Sequence, residues 1–170
     1  MKSQQHYAEQ LARQAHAFQK YGNKSYADGH LMLVARLLYD AGFSDDIVCA
    51  GWLHDIIEDT DITYEEINEG FGAGVADIVS AVTSDSSLSR KERMSISYKH
   101  ILECGSDAIS VKLADRICNV KSCWKNEDSR LYMYHKEYRA FRGALRSDTD
   151  NQKNLSMWNE LDALMGWNNY

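Results

Sequence analysis

Apolar residues recur at helical spacing along most of this chain. One set falls on a single face and ends at Gly42, namely Leu31, Val34, Ala35 and Leu38. Because positions three and four apart share a face of an α-helix, this spacing predicts an amphipathic helix. No segment shows the strict alternation of apolar and polar residues that marks a half-buried strand. The pattern therefore predicts one all-α domain.

Glycines and capping residues separate the predicted helices, because the chain contains no proline. Ser44 is a predicted N-cap, and Thr63 with Glu66 has the spacing of a capping box. We expect a bundle of about 8–10 helices. The first runs over about 4–20, the second starts at His30, and the third passes through His54. Later helices are predicted near 63–70, 73–83, 91–104, 107–123, 130–146 and 150–165, with a mobile polar loop at 84–89.

Composition narrows the classes of function. The chain has 170 residues, 44% hydrophobic and 26% charged, which suits one globular domain over 1–170. Its net charge of −6 argues against sequence-independent nucleic-acid binding, which needs many cations to neutralise phosphates. The segment Met1–Leu11 is polar, unlike a signal peptide, and no apolar run approaches a membrane span. We expect no nucleic-acid and no membrane partner.

The four cysteines form no C-x-x-C pair; they are Cys49, Cys104, Cys118 and Cys123. Without a secretion signal they are interpreted as reduced thiols packed in helices, with a disulfide or a zinc site as the minority interpretation. The expected compartment is the cytoplasm.

The last predicted helix, at about 150–165, is rich in aromatic and aliphatic residues. At helical spacing it and the residues just after it carry Trp158, Leu161, Leu164, Met165 and Trp167. We interpret this segment as a packing helix. The sequence leaves a homodimer contact through it open.

The segment His54–Thr60 reads His-Asp-Ile-Ile-Glu-Asp-Thr and combines one imidazole with three carboxylates. It follows an apolar stretch, so we expect these groups to be carried into the interior. Residues four apart share a helix face, which would place Glu58 beside His54 and Asp59 beside Asp55. Burying an unpaired carboxylate costs several kcal/mol, so a divalent metal is the simplest partner for the cluster.

Two other segments supply groups of the same kind. In the first, His30 follows Gly29 at the start of the second helix. In the second, Asp115 interrupts the apolar face of a helix, and Asn119 lies on the same face four residues later. Together the two segments would complete a mixed nitrogen and oxygen site of His30, His54, Asp55 and Asp115. Such ligands suit Mn²⁺ or Fe²⁺, whereas Zn²⁺ or Ni²⁺ would bind more tightly without being the working metal.

These motifs resemble those of the HD superfamily of metal-dependent phosphohydrolases. More narrowly, His54–Thr60, Phe71-Gly72 and Lys112–Asn119 resemble the (p)ppGpp hydrolase domain of RelA/SpoT homologues. The length resembles the stand-alone form, the small alarmone hydrolases, and the similarity runs over about 12–145. The resemblance implies an HD-domain helical bundle. It also implies hydrolysis of the 3′-pyrophosphate of ppGpp or pppGpp, releasing pyrophosphate and GDP or GTP.

The resemblance also implies roles for individual residues. A catalytic Mn²⁺ would be held by His30, His54, Asp55 and Asp115. The acids that would orient or deprotonate the attacking water are Glu58 and Asp59, and the sequence does not decide between them. The implied nucleotide contacts are Lys20, Asn119 and Tyr138. Further cations near Asp115 are interpreted as a solvated face, namely Lys112, Arg116 and Lys121.

The chain departs from the family pattern in two places. Tyr21 stands where a basic residue usually follows Lys20, and the prolines usual around the first histidine are absent. These changes leave the metal site intact and the substrate open. The alternatives are an HD nucleotidase or phosphatase acting on an adenosine alarmone, NADPH or a nucleoside monophosphate, and a nucleotide-sensing or antitoxin-like module. The intact Glu58-Asp59 pair argues against the second, because a pure binder does not need both acids.

Overall fold

Helices form most of the described chain, which comprises residues 3–85, 87–147 and 150–167 of a computed structural model. The N-terminal half contains α1 (Gln4–Ala15), α2 (Met32–Asp40), α3 (Asp45–Leu53), α4 (Ile56–Asp59), α5 (Tyr64–Phe71) and α6 (Ala73–Val82). The C-terminal half contains α7 (Arg90–Cys104), α8 (Ser106–Asn126), α9 (Arg130–Leu145) and α10 (Gln152–Leu164). The all-α prediction is confirmed, and so is the capping box at Thr63 and Glu66 that opens α5.

A small hairpin stands where the first predicted helix was expected to continue. Helix α1 ends at Ala15, and β1 (Lys20–Tyr21) pairs antiparallel with β2 (Lys24–Ser25). Gly22 has a φ of 61°, a left-handed conformation that glycine adopts without a steric penalty, and it allows the chain to reverse between the strands. The prediction of a helix to Lys20 is therefore wrong, because the turn chemistry overrides the helical spacing.

A five-residue π-helical segment, Ala27–Leu31, follows β2 and runs directly into α2. Such wide turns are rare and are frequently found at functional sites. This one contains His30, whose side chain is buried. The second predicted helix therefore exists, but its first turn is locally widened at the histidine.

The helix expected to pass through His54 is broken there. Helix α3 ends at Leu53 and α4 begins at Ile56. The His54 Nδ1 atom lies 2.9 Å from the carbonyl oxygen of Gly51, which would accept the Asp55 N–H in a continuous helix. The side chain thus competes with the backbone for one acceptor, and the chain turns at the histidine.

The long helix α8 is the centre of the bundle. It packs against α2, α3, α6, α7, α9 and α10, and its buried face includes Leu113, Ala114, Ile117 and Val120. Asp115 is buried on the same helix, so it lies among the elements that carry His30 and His54. Helix packing, rather than sequence proximity, brings these side chains together.

The C-terminal helix α10 packs onto this core. Trp158, Leu161 and Met165 are buried, and the Trp158 ring lies 5.5 Å from that of Phe141 between centroids. All four cysteines are free thiols. Within residues 3–85, 87–147 and 150–167, none of the helices has both the length and the apolar character that crossing a membrane requires.

Gly51 on α3 packs closely against α2, and this contact yields a stability prediction. A Cβ atom there would lie 2.6 Å from Leu38 Cδ1 and 3.2 Å from Ala35 Cα. Alanine is favoured over glycine in a helix by about 1 kcal/mol, but overpacking costs about 1–3 kcal/mol. We therefore expect Gly51→Ala to lower the free energy of unfolding by up to about 2 kcal/mol in urea titrations.

The matched control is Gly143→Ala in α9, where an added Cβ would meet nothing within 4 Å. At this position only the helix preference for alanine over glycine acts, without overpacking, so the free energy of unfolding should rise by about 0.5–1 kcal/mol. Stabilisation by both substitutions would contradict the close contact between α2 and α3.

Candidate metal and nucleotide site

Four side chains from three parts of the fold converge beside the middle of α8. The Nε2 atoms of His30 and His54 are 3.1 Å apart. The Asp55 Oδ2 atom lies 3.0 Å from His54 Nε2 and 3.6 Å from His30 Nε2. The Asp115 Oδ1 atom lies 3.3 Å from His30 Nε2 and 3.8 Å from His54 Nε2. The structure thus brings together all four predicted ligands.

The hydrogen bonds of His54 set which of its nitrogens faces the cluster. Its Nδ1 atom is 2.9 Å from the Gly51 carbonyl oxygen, which is an acceptor only, so Nδ1 carries the proton and donates. In the neutral ring the Nε2 lone pair is then directed at His30 and the two carboxylates. A second partner that fixes the tautomer in this way is the usual arrangement of a metal-binding histidine.

The charges in the cluster attract a cation. Burial disfavours the imidazolium of His54, but the carboxylates of Asp55 and Asp115 outweigh this effect and raise the pKa of His54 to about 9. Burial also opposes ionisation of both acids. Their cationic neighbours outweigh it and hold both pKa values below the usual range, with His54 acting mainly on Asp55 and Lys112 on Asp115. Two ionised carboxylates therefore meet at a point where a proton or a metal ion supplies the balancing charge.

The spacing and chemistry of the four groups fit a single divalent ion. Ligand atoms held about 2.1 Å from one ion lie about 3.0–3.5 Å from their neighbours in tetrahedral or octahedral geometry. The separations here run from 3.0 to 3.8 Å. The ligating atoms of His30, His54 and Asp115 all lie within 4.8 Å of one another. Imidazole nitrogens with carboxylate oxygens suit several divalent metals, so the geometry alone does not select one.

Other polar side chains hold the two carboxylates in place. The Tyr26 hydroxyl donates to Asp55 Oδ2 at 2.7 Å. Asn119 donates through Nδ2 to Asp115 Oδ1, and Lys112 Nζ lies 3.2 Å from Asp115 Oδ2. Each carboxylate is therefore fixed by contacts that leave its remaining lone pairs for the cluster.

The two further acids take different positions at the end of α4. Glu58 lines the cleft that opens onto the cluster, and its Oε2 atom accepts a hydrogen bond from the Ser84 N–H at 3.0 Å. Asp59 is exposed and does not line the cleft, while its backbone carbonyl accepts from Gln19 Nε2 at 3.1 Å. Desolvation and the nearby Asp55 carboxylate raise the pKa of both side chains. Of the two, Glu58 is the acid presented to a molecule in the cleft.

Cationic side chains also line this cleft. Its lining includes Arg90, Arg93, Lys112 and Arg116. Arg90 donates two hydrogen bonds to the carboxylate of Glu137, whose Oε2 atom is also 3.8 Å from Arg116 Nη1. The cleft therefore combines the proposed metal ligands with these four cations, the arginine-rich wall, and this arrangement suits a phosphorylated ligand.

Arg116 corrects the prediction of a solvated face beside Asp115. Only 7% of the residue is exposed, and its guanidinium lies 4.7 Å from the ring centroid of Tyr134 and 4.5 Å from that of Phe141. The Nη1 atom is buried and makes no hydrogen bond within the described chain. Lys121, by contrast, is exposed and pairs with Glu160, as the prediction required.

Two of the three predicted nucleotide contacts lie elsewhere. Lys20 is exposed on β1 and is not among the residues that line the cleft. Tyr138 is buried, donates its hydroxyl hydrogen bond to Asp162 and packs edge-on against Trp167. Asn119 does line the cleft. The structure therefore brings Asn119 to the site and leaves Lys20 and Tyr138 outside it.

Sequence reasoning missed several residues that line the cleft. Tyr26 lies four residues before His30, a helical spacing that was available as a signal. Ser84, Arg90 and Tyr134 also line the cleft, but they belong to the loop after α6, to α7 and to α9. No local pattern connects those three with the histidines, since their proximity arises only from helix packing.

Comparison of the sequence with protein families agrees with this geometry. The profile described as an HD domain matches residues 8–139, a span that includes all four clustered ligands. This chain belongs to the HD domain family. Several curated relatives carry the name guanosine-3′,5′-bis(diphosphate) 3′-pyrophosphohydrolase. The MESH1 protein of Danio rerio is 40% identical over 114 residues, covering 62% of this chain and 63% of the relative.

Other relatives of this HD domain are more distant or longer. The protein of the same enzyme name from Aquifex aeolicus is 32% identical over 163 residues, covering 94% of this chain and 23% of the relative. The human MESH1 protein is 39% identical over 94 residues, covering 54% of this chain and 52% of the relative. The chain thus spans less than two thirds of the length of these curated relatives.

Solved structures support the HD-domain fold. A metazoan orthologue of SpoT, described as hydrolysing ppGpp, superposes with a TM-score of 0.81 at 23% identity, covering 99% of this chain and 98% of that one. The Listeria monocytogenes protein lmo0812 superposes with a TM-score of 0.68 at 24% identity, covering 81% and 94%. At such identities the likeness establishes the architecture of the HD domain and does not extend to a substrate.

Proposed function

We propose that this HD domain hydrolyses the 3′-pyrophosphate ester of ppGpp or pppGpp, releasing pyrophosphate and GDP or GTP. The observation that carries the proposal is the cleft itself, which joins a His and Asp cluster fit for a metal to an arginine-rich wall and is also lined by Glu58. Relatives named for this reaction support it. A small-molecule nucleotide is thus the proposed substrate.

The proposed cofactor is Mn²⁺, held by His30, His54, Asp55 and Asp115. When bound, it supplies positive charge to the phosphoryl oxygens and lowers the pKa of water. Other divalent metals fit the same donor set, so the choice of Mn²⁺ rests on the family resemblance and on the mixed nitrogen and oxygen ligands.

The residues of the chain have separate tasks in this reaction. Glu58, with its raised pKa and its place in the cleft, accepts the proton of the attacking water. The Ser84 N–H fixes the Glu58 carboxylate at 3.0 Å. The cationic wall of Arg90, Arg93, Lys112 and Arg116 binds phosphate groups and draws the nucleotide into the cleft. Asp59, which does not line the cleft, is the alternative base.

The deciding experiment is product analysis of metal-stripped protein given Mn²⁺ and ppGpp, with pppGpp, an adenosine alarmone and NADPH in parallel. We expect GDP and pyrophosphate from ppGpp only when metal is added. Turnover confined to another nucleotide, with release of orthophosphate, would keep the metal site and replace the substrate. Tight nucleotide binding with no turnover would favour a sensing module.

The cationic wall gives a prediction of its own. Arg90→Gln removes a guanidinium that lines the cleft, and a hydrogen bond to a charged group is worth about 1.5–3 kcal/mol. Because Arg90 is exposed, we expect the lower figure, a rise of about tenfold in KM for ppGpp with a smaller change in kcat. Steady-state kinetics measure both constants.

The neighbouring Lys91→Gln is the control, since Lys91 is exposed, lies on the same helix and does not line the cleft. Equal effects of the two substitutions would point to general electrostatic attraction and not to a phosphate contact at Arg90.

The remaining proposals concern context. We treat 1–170 as one HD-type hydrolase domain, with a motif core at about 12–145. The cytoplasm is the proposed compartment, supported by four free cysteines in a chain without a disulfide among its described residues. A homodimer stays a prediction, because the aromatic C-terminal helix is accounted for by packing within the chain.

A further inference from the structure

Tyr21 occupies an unusual position beside the proposed metal centre. Its ring stacks on that of His30, with centroids 5.2 Å apart and an interplanar angle of 14°. Gly29 makes this approach possible, because a Cβ atom at position 29 would lie 2.8 Å from Tyr21 Cβ. The hairpin β1–β2 therefore places an aromatic side chain directly against a proposed ligand.

The Tyr21 hydroxyl extends the contact to a second ligand. It donates to Asn119 Oδ1 at 2.9 Å, and Asn119 donates through Nδ2 to Asp115 Oδ1. The same Asp115 atom lies 3.3 Å from His30 Nε2. The four side chains thus form a closed ring of contacts that runs from Tyr21 through Asn119 and Asp115 to His30 and back to Tyr21.

The contacts within this ring reduce the number of hydrogen bonds that Asn119 has available for a nucleotide. A side-chain amide has two N–H donors and two acceptor lone pairs. One donor is directed at Asp115 and one lone pair receives the Tyr21 hydroxyl, so half of the capacity is used within the protein. A tyrosine hydroxyl ordinarily keeps its proton at neutral pH, so it stays a donor to this amide. The amide orientation is therefore fixed from within the chain.

We propose that Tyr21 is a positioning residue for the metal centre, which orients Asp115 through Asn119 and His30 through ring stacking. The inference rests on the ligand set of the proposed function and not on its substrate. It accounts for the tyrosine beside Lys20, where the family pattern led us to expect a basic residue. Tyr21 here acts on the metal ligands and is not a phosphate contact.

The test measures Mn²⁺ affinity by titration calorimetry, without any nucleotide. Tyr21→Phe keeps the stacked ring and removes only the hydroxyl. Loss of an outer partner of a metal ligand typically weakens metal binding about 10–100-fold, and we expect about tenfold for this variant. Tyr39→Phe is the control, because Tyr39 is 59% exposed in the last turn of α2 and does not line the cleft. Its affinity should match that of the unsubstituted chain.

A double-substitution cycle distinguishes positioning from a general loss of structure. If Tyr21 acts through Asn119, adding Tyr21→Phe to Asn119→Ala should change the Mn²⁺ affinity by less than about twofold. Independent tenfold losses in both backgrounds, or an unchanged affinity of Tyr21→Phe, would overturn the proposal. An unsubstituted chain that binds no Mn²⁺ would overturn it together with the metal centre. Binding of Mn²⁺ without ppGpp hydrolysis would reject only the substrate.

Discussion

Asp115→Ala is expected to remove both Mn²⁺ binding and turnover. The Asp115 carboxylate lies close to both histidines, with Oδ1 at 3.3 Å from His30 Nε2 and 3.8 Å from His54 Nε2. Loss of an outer partner alone weakens metal binding up to about 100-fold, so loss of a ligand should exceed that figure. Metal content after dialysis and the rate of pyrophosphate release are the two measurements.

Asp77→Ala on α6 is the control for the loss of a carboxylate. Asp77 is exposed and accepts a hydrogen bond from Tyr64, away from the cleft. Its metal content and turnover should equal those of the unsubstituted chain. Retention of both properties in Asp115→Ala would refute the ligand assignment, and circular dichroism would show that the variant is folded.

Glu58→Gln is expected to slow hydrolysis by about 10²–10⁴-fold while leaving Mn²⁺ affinity nearly unchanged. The amide keeps the size of the side chain, but it does not accept the proton of water. Asp59→Asn should have a smaller effect, because Asp59 lies outside the cleft lining. Single-turnover rates at saturating Mn²⁺ separate the two acids, and a larger loss in Asp59→Asn would move the base to that residue.

The pH dependence gives a second readout of the same assignment. Desolvation and Asp55 raise the pKa of Glu58 above its ordinary value, and a base acts only when deprotonated. The rate should therefore fall as the pH drops through this raised pKa, and Glu58→Gln should lose that part of the profile. Glu69→Gln, an exposed glutamate on α5, should keep the full profile.

The local features of the fold were readable from the chain. Helical spacing and capping residues predicted the helices because both act within a few residues, as the capping box at Thr63 and Glu66 shows. The identity of the clustered groups was also readable, since His54-Asp55 and Asp115 interrupt apolar stretches. Errors arose where a side chain or a turn overrides spacing, as at the His54 break and the hairpin at Gly22.

What the tertiary structure decided is which side chains face the cleft. The family resemblance implied that Tyr138 contacts the nucleotide, yet its hydroxyl is buried and donates to Asp162. Arg116 was expected on a solvated face, yet it is buried and belongs to the arginine-rich wall. The sequence by itself determined the helices and the chemical types of the metal ligands, because periodicity and residue chemistry are local properties. The pairing of Tyr21 with His30, and of Arg90 with Glu137, depends on how a hairpin and distant helices pack, and no local pattern encodes those distances.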